Sequence, residues 1–494
     1  MSDKIIYPSI DLFLYDLKDD LGQDEARIDQ NCQQFCKKIY GDLDETSFQE
    51  KYAQFQKYKN SDADAIELLE TIRTREFTSP LYGYYYPLQF GDTYALQVDY
   101  SGQRDANGNP NDIEQELDDK PFLKLKQEII QHLYQPIGTL GQTWLVWGQL
   151  TRSSNKSQWN IEQIAQECYS QIVSSGTWNQ DFIGEGSLLG GRVFELWYRP
   201  ENLGLTGKEF WEKFRQENHH VLIWLLPYNQ NPDDMRKQVQ SVYSDLMRLC
   251  QYRHKIVWAY YQSRNQKSIL KREYVEIQPS LNQASQLPKQ LQTNSLNLVR
   301  LQEILATNLI NLSDYTIALN ALENQNRTLQ VNLENYKACL DEMTRKYTDS
   351  DLNFLKVFSE REIYAKKYKR QIEADYANLS PGLTLLQNLN STIQSLIDLE
   401  KTKSDDLEKT KSDDLEKIKS DDLEKIKSDR TLNTTIALAG IGLATSQIAS
   451  AVIVTQPPEQ QGSLAFRTQA FVGSLSIGAI AVLIAFVILR RFPR

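Results

Sequence analysis

The sequence predicts an α/β or α+β N-terminal cytosolic domain, a long α-helical coiled-coil stalk and a C-terminal two-helix transmembrane hairpin. All eight tryptophans lie within residues 144–258, which indicates a globular core in the N-terminal part of the chain. Residues 289–430 contain a single proline and a single glycine, so almost nothing there interrupts a helix. Two apolar stretches, 434–454 and 471–489, approach or reach the ~20 residues with which a helix crosses a bilayer core.

Residues 1–275 alternate between strand-like and helix-like segments, which predicts a mixed sheet with packed helices. Runs rich in β-branched and aromatic residues predict strands at Ile10–Leu14, Tyr94–Tyr100, Thr143–Leu150, Arg192–Tyr198, His220–Leu226 and Lys255–Tyr261. Helical patterns lie at Asp24–Tyr40, Ser47–Arg73, Ile113–Tyr134, Ile161–Ser174, Gly207–Asn218 and Asp233–Tyr252. The glycine-rich segment 184–192 predicts a turn, with an anion-binding loop as the alternative.

Composition and motifs exclude several function classes. The net charge of −10, with no basic stripe to offset it, argues against a nucleic-acid partner. The five cysteines form no paired framework and predict reduced thiols in a cytosolic domain, with Cys32 and Cys36 packed in the core. The N-terminus lacks the pattern of a signal peptide. The four histidines show no metal-ligand spacing, and His219–His220 predict a loop pair. We expect no catalytic set, metal or cofactor.

Residues 276–381 predict a coiled-coil helical hairpin, because apolar residues recur there at heptad spacing. One seam is Leu298, Leu305, Leu312, Leu319, Asn326, Leu333, Leu340 and Tyr347. The other is Leu301, Asn308, Tyr315, Leu322, Leu329, Tyr336 and Met343. Asn308 and Asn326 are candidates for fixing register or oligomeric state. The partner is either another subunit or the next helix of the same chain.

Residues 382–430 predict a long stalk helix that follows a turn at Ser380–Gly382. An octad, KSDDLEK followed by Thr or Ile, starts at Lys403, Lys411 and Lys419. Eight residues overshoot two helical turns by about 80°, so the repeated leucine winds around the helix and forms no seam. The repeat predicts a charged spacer, with cation collection by its Asp-Asp pairs as the alternative.

Residues 431–494 predict the transmembrane hairpin. Basic residues precede the first stretch within 417–430 and follow the second within 490–494. This charge pattern predicts an inner or plasma membrane protein with both termini on the cytoplasmic side. Polar residues of the first stretch are candidate pore-lining groups: Thr434, Thr435, Thr445, Ser446, Gln447 and Ser450. Such residues either line a pore or let helices pack closely, and Gln447 is costly to expose to lipid.

The order of a cytosolic domain, a helical hairpin, a long helix entering the first span, a short outer turn and a basic tail resembles the CorA family of divalent-cation channels. The resemblance covers roughly residues 291–494 and implies a homo-oligomer, a pentamer as in that family, whose first span lines the axis. The family signature Gly-Met-Asn is absent, since Val454–Pro458 reads Val-Thr-Gln-Pro-Pro. Some two-span relatives without it act as membrane effectors in bacterial defence, and the chain resembles that group by analogy.

These observations predict a non-enzymatic, oligomeric membrane protein. Its cytosolic domain is expected to sense a ligand or a cytosolic protein, and its stalk to pass that state to a hairpin that conducts ions, metal ions included, or perturbs the bilayer. The alternative is a non-conducting, membrane-tethered scaffold that binds a cytosolic partner. An anchored enzyme is a third class, which requires a deep pocket with converging polar groups.

Overall fold

The structure is a computed structural model. This structure describes residues 4–413, apart from residues 21, 59–60, 62, 70–72, 106–119, 153–157, 201–204, 206, 229, 293–296 and 359–362. The described chain forms an N-terminal α/β sheet domain followed by long helices. It divides into two compact units. Unit 1 contains residues up to Asn265 together with Asn324–Ile372, and unit 2 contains Gln266–Glu323 together with residues from Glu373.

The strands are β1 Ile5–Leu17, β2 Ile66–Glu67, β3 Arg75–Glu76, β4 Leu81–Phe90, β5 Thr93–Gln103, β6 Gly141–Leu150, β7 Phe182–Leu188, β8 Gly191–Tyr198 and β9 His219–Leu226. They form one sheet in the order β2-β4-β5-β1-β6-β9-β8-β7, and β3 also pairs with β4. β6 and β9 run parallel, while the other neighbours in this order run antiparallel. The sheet is therefore mixed, as the sequence predicts.

The shorter helices are α1 Glu25–Tyr40, α2 Glu45–Gln56, α3 Pro121–His132, α4 Gln158–Ile172, α5 Trp178–Asp181 and α6 Gly207–Glu217. Local chemistry sets several starts. The side chains of Asp24 and Asp44 accept hydrogen bonds from backbone N–H groups in the first turns of α1 and α2. Pro121 occupies the start of α3, where its missing N–H leaves no helical bond unmade.

The long helices are α7 Pro232–Gln292, α8 Leu298–Lys346 and α9 Ile363–Asp413, with a 3-10 helix at Asn353–Phe358 between the last two. Within the described residues, no helix combines the length and the apolar content that crossing a membrane requires. The two apolar stretches of the sequence, with all six candidate pore-lining residues, lie outside those residues.

One face of the sheet forms the apolar core of unit 1. Alternate strand residues such as Ile10, Val98 and Ile223 pack there against α1–α4, from which Phe35 and Phe122 are fully buried. The other face lies beneath α7. The Tyr15 hydroxyl of β1 donates to the Met247 carbonyl of α7 at 2.8 Å, so helices cover both faces of the sheet.

The predicted strand Lys255–Tyr261 is wrong, because these residues belong to α7. Ile256, Val257 and Trp258 are all buried there, on successive positions of one helix. A helix enclosed on several sides carries apolar residues all round and loses the polar face that identifies it. The predicted helix Ser47–Arg73 is also too long, since α2 ends at Gln56 and β2 follows.

Four strands are not predicted from the sequence, the two-residue β2 and β3 and the longer β4 and β7. β4 contains Gly83 and Pro87, residues that argue against a strand, and β7 contains Gly184 and Gly186. The glycine-rich segment is a β-hairpin whose turn is formed by Leu189 and Gly190, both with positive φ. The turn prediction is confirmed at that point, while the residues before it continue β7.

The predicted turn at Ser380–Gly382 is wrong, because α9 runs through it without a break. A helix-interior proline costs about 3 kcal/mol, so tertiary contacts must offset it. Tyr315 of α8 supplies them within unit 2. Its hydroxyl donates to the Leu379 carbonyl at 2.6 Å, and its ring lies so close to Gly382 that an added Cβ would stand 2.4 Å from the hydroxyl oxygen.

One of the two predicted heptad seams is buried throughout among the chain's own helices, while the other is buried at three of its eight positions. All seven residues of the seam from Leu301 to Met343 are buried. In unit 2, Leu301 packs with Leu287 of α7 and Ile393 of α9. In unit 1, the Tyr347 hydroxyl at the end of the other seam donates to the Asp245 carboxylate of α7 at 2.7 Å. In the described structure, the seam from Leu301 to Met343 is therefore covered by other parts of the same chain.

Candidate functional site

The sheet face beneath α7 carries buried polar side chains among apolar ones, whereas the face beneath α1–α4 is mainly apolar. Successive strand residues point to opposite sides, so the residues between the core positions of β1, β5, β6, β8 and β9 meet on this face. Two groups of buried polar side chains lie there, both in unit 1. We name Asp11 and Asp99 the carboxyl pair. We name Glu195, His220, Thr143 and His254 the histidine relay.

The carboxyl pair lies at the centre of the sheet. Asp11 of β1 and Asp99 of β5 are direct partners in the strand register, and their side chains hydrogen-bond to each other. The Asp11 carboxylate accepts three further hydrogen bonds. The donors are Gln97 Nε2 at 2.7 Å, the Tyr243 hydroxyl of α7 at 2.9 Å and Trp147 Nε1 at 3.0 Å. The pair thus ties the sheet to α7.

The pKa values of both carboxyl groups are raised, which indicates that the pair holds a proton. Burial raises the pKa of Asp11 to about 6, although its hydrogen bonds oppose the shift. Burial, and next the charge of Asp11, raise the pKa of Asp99 well above its usual range. Because three donors stabilise ionised Asp11, the shared proton belongs on Asp99, which then donates to Asp11. Asp11 therefore loses its proton as the pH rises through about 6, while Asp99 keeps its proton to higher pH.

Asp99→Asn is expected to reduce the loss of stability at high pH. The pKa of Asp99 is 3.8 before burial and well above that value in the fold, so the stability that its protonated form contributes is complete below 3.8 and is lost as the pH rises through the raised pKa. The introduced amide still donates to Asp11 but cannot ionise, so this part of the pH dependence disappears. Urea unfolding at pH 5 and pH 8 should show a smaller difference in the variant, by about 1.4 kcal/mol for each pH unit over which Asp99 keeps its proton. Ser101→Ala, on the same strand, is the control, and an unchanged pH dependence in Asp99→Asn would contradict the assignment.

The histidine relay joins β6, β8, β9 and α7. Glu195 Oε1 lies 3.1 Å from His220 Nε2. His220 Nδ1 and His254 Nε2 each lie 2.8 Å from the Thr143 hydroxyl oxygen. Burial, and next the charge of Arg253, hold the pKa of both histidines well below 6.5, so both rings are neutral at neutral pH.

Neutral rings leave one proton arrangement. The Glu195 carboxylate only accepts, so His220 carries its proton on Nε2 and donates it. His220 Nδ1 is then an acceptor, and the Thr143 hydroxyl donates to it. The hydroxyl oxygen in turn accepts from Nε2–H of His254. The relay is therefore a directed chain of hydrogen bonds that runs from α7 through three strands of the sheet.

Arg253 of α7 supplies the positive charge that faces the relay. Its Nε lies 4.0 Å from Glu195 Oε1, and its guanidinium lies 4.6 Å from the ring centre of Trp197. Burial lowers the pKa of Arg253, and the nearby Glu195 opposes that shift. Both residues are almost fully buried, at 2 % and 1 % exposure, so the ion pair is shielded from water.

The aromatic residues around Arg253 include two from the first turns of α9. Trp197 meets Tyr364 edge to face, with ring centres 5.7 Å apart. Tyr368, one turn later, stacks on Tyr260 of α7 at 3.7 Å. Arg199 lies over the rings of both Trp197 and Tyr364 at about 5 Å. The start of α9 is therefore packed directly against the surroundings of the buried ion pair.

The relay has the connectivity of a catalytic triad, in which a carboxylate orients a histidine that contacts a hydroxyl. In this structure the burial of these side chains does not fit that chemistry. Thr143 is 0 % exposed, and His220 and Glu195 are 1 % exposed, so no substrate reaches the hydroxyl. Buried hydrogen-bond networks instead specify one packing arrangement, here that of α7 on the sheet.

The residues singled out in the sequence fall in different places. His220 is the second residue of β9 and a member of the relay, so the predicted loop pair is wrong. Cys32 and Cys36 are buried in the core as free thiols, which confirms the packing interpretation. Asn308 is fully buried in unit 2, and neither polar atom of its side chain has a hydrogen-bond partner there. Asn326 is partly buried, and its role in register stays a prediction.

Metal ligation finds no support in the described part of the chain, where no group of three or more His, Cys, Asp or Glu side chains could hold an ion. Comparisons with protein-family models, curated proteins and solved structures found no match. The functional proposal therefore rests on the sequence and on the geometry of the described residues.

The sequence holds a weak signal for this face. Asp11, Asp99, Thr143 and Glu195 are polar residues that alternate with apolar ones along their strands, which is the usual pattern of a solvent-exposed sheet face. In the structure the long helix α7 covers these residues, so they are buried. Recognising the site requires knowing that residues 255–261 are helical, which the sequence pattern conceals.

Proposed function

We propose that this chain is a membrane-anchored signal transducer that works as an oligomer. Its N-terminal domain senses a cytosolic ligand or protein partner, its helices carry the resulting change, and its C-terminal apolar hairpin conducts ions or perturbs the bilayer. The supporting observation is the course of α9. This helix begins at the aromatic cluster around Trp197 and continues unbroken to Asp413, about twenty residues before the first apolar stretch.

The coupling follows from the stiffness of a helix and the nature of its contacts. Tyr364 and Tyr368 pack against Trp197 and Tyr260, next to the Arg253 ion pair. A change in the charge or packing of that pair alters the surface on which α9 starts. Because Pro381 does not break the helix, a shift of its first turns is carried toward residue 413.

The output end is proposed from sequence. The stretches 434–454 and 471–489 have the length and flanking charges of a hairpin with both ends in the cytoplasm. One hairpin cannot enclose a pore, so conduction requires several copies around an axis. Thr445 and Gln447 are the best candidates for its lining. Without the Gly-Met-Asn signature, the proposal names no particular ion.

Planar-bilayer recording on the purified full-length protein tests this function. We expect channel-like currents that Gln447→Leu changes at least several-fold, because the variant removes a polar group from the proposed lining. Ser474→Ala, in the second stretch, is the matched control and should conduct like the wild type. Absence of conductance under every ligand, together with a monomeric mass in detergent, contradicts the proposal.

Replacing both apolar stretches with unrelated membrane anchors distinguishes the scaffold alternative from the conducting hairpin. A scaffold keeps its function after this exchange, because only the height and location of its cytosolic domain matter. A conducting hairpin loses its current, since the lining residues are gone. Binding of a cytosolic partner by the exchanged protein, with no current from the original, favours the scaffold.

A further inference from the structure

The outer face of α8 carries an uncharged strip in unit 2. Its members are Val299, Gln302, Ala306, Ile310, Ser313, Ile317 and Asn320, and we name this set the α8 strip. Their spacings of three, four and seven residues place them on one face of the helix. All are exposed, and Val299, Ile310 and Ile317 are 63 %, 64 % and 65 % exposed.

The strip is unusual in its surroundings. Charged residues form 24 % of the chain, yet none lies on these positions, while Glu303 and Asp314 lie on the flank. At 1.5 Å per residue the strip is about 32 Å long. The opposite face of α8 is already filled, because Leu301, Tyr315 and Leu322 are buried inside the chain. In the described structure, the heptad seam is thus occupied by the chain itself, and the aliphatic residues of the strip face solvent.

We infer that the α8 strip is the contact surface for a second copy of this chain, arranged in parallel. The inference rests on the proposed membrane anchorage, which gives all copies the same orientation because each ends in the same hairpin. Copies related by an axis along the membrane normal bring identical residues toward each other. Like charges facing each other on such a surface destabilise it, and the strip has none.

The residue types fit a symmetric contact. β-Branched Ile310 and Ile317, one heptad apart, suit pairing with their own copies. Ser313 and Asn320, one heptad apart on the same face, can hydrogen-bond across the axis. An Asn at such a position fixes parallel register at some cost in stability. Polar residues between the aliphatic ones also keep the single chain soluble before it assembles.

Cysteine cross-linking of the full-length protein in detergent tests the parallel contact. The native cysteines, all in the described structure, are buried, so an added surface thiol is the accessible one. Ile317→Cys should give about tenfold more disulfide-linked dimer than Thr307→Cys, since a disulfide needs Cα atoms within about 7 Å. Thr307 is exposed on the same helix, about 80° away around its axis. Equal cross-linking at the two sites, or none at Ile317→Cys, overturns the inference.

A charge variant separates this inference from the proposed function. Ile317→Glu places like charges at the axis and should lower the mass measured in detergent toward that of the single chain, while thermal unfolding stays near the wild type because the site is exposed. Unchanged assembly with unchanged current overturns the contact and leaves the proposed function standing. Cross-linked, oligomeric protein without any current supports the contact and counts against conduction.

Discussion

Glu195→Leu is expected to destabilise unit 1 by about 3–5 kcal/mol, the usual effect of removing one member of a buried ion pair. The Arg253 guanidinium, 2 % exposed, would lose the carboxylate 4.0 Å away that offsets its charge. His220 would lose the acceptor for its Nε2–H at the same time. Urea unfolding of the full-length protein at pH 7 measures the change.

A double-mutant cycle gives this prediction its control. Arg253→Met alone should also be costly, because it leaves the Glu195 carboxylate buried without the guanidinium. The combination Glu195→Leu with Arg253→Met should recover much of either loss, since two apolar side chains of similar volume need no mutual compensation. A loss below about 1 kcal/mol in Glu195→Leu, or strictly additive single effects, would show that the two charges do not stabilise each other.

The milder change Glu195→Gln separates charge from hydrogen bonding. The Gln carbonyl still accepts from His220 Nε2, so the directed chain through Thr143 survives. Only the charge opposite Arg253 disappears. If the relay mainly positions α7 through hydrogen bonds, Glu195→Gln behaves nearly like the wild type. If the ion pair is the larger contribution, its loss approaches that of Glu195→Leu.

The N-terminal α/β class could be predicted because its strands carry strong local signals. Thr143–Leu150 is nearly continuous in apolar and β-branched residues, and the structure has β6 over Gly141–Leu150. The pattern failed where tertiary contacts override local preference. Ile256–Trp258 has strand-like composition but is enclosed in α7. Pro381 and Gly382 look like a break, yet Tyr315 packs against Gly382 and α9 continues.

The candidate site illustrates a different limit. Polar residues at alternate strand positions are compatible with a solvated face and with a covered one, and only the path of α7 distinguishes the two. The heptad seam is a similar case. Its periodicity correctly predicts burial of residues such as Leu322 and Leu329, but burial against the same chain and against another copy produce the same pattern.

Removal of residues 431–494 is expected to abolish membrane association altogether. On an insertion scale, each central Leu, Ile, Phe or Val contributes about 0.3–0.6 kcal/mol toward the membrane, and 471–489 consists mostly of such residues. Full-length protein should therefore stay with membranes through an alkaline carbonate wash, while residues 1–430 should be released to the supernatant. Thermal unfolding of both proteins checks that release does not reflect a folding defect.

The octad repeat provides a matched deletion. Residues 411–418 form one complete copy, so removing them shortens the charged segment and leaves both apolar stretches intact. This variant should remain with the membrane as firmly as the full-length protein. If 1–430 also resists the wash, membrane association must come from another part of the chain, and the apolar hairpin is not its anchor. If the octad deletion is released as well, the charged helix contributes directly to binding, through attraction to lipid headgroups that high salt in the wash should weaken.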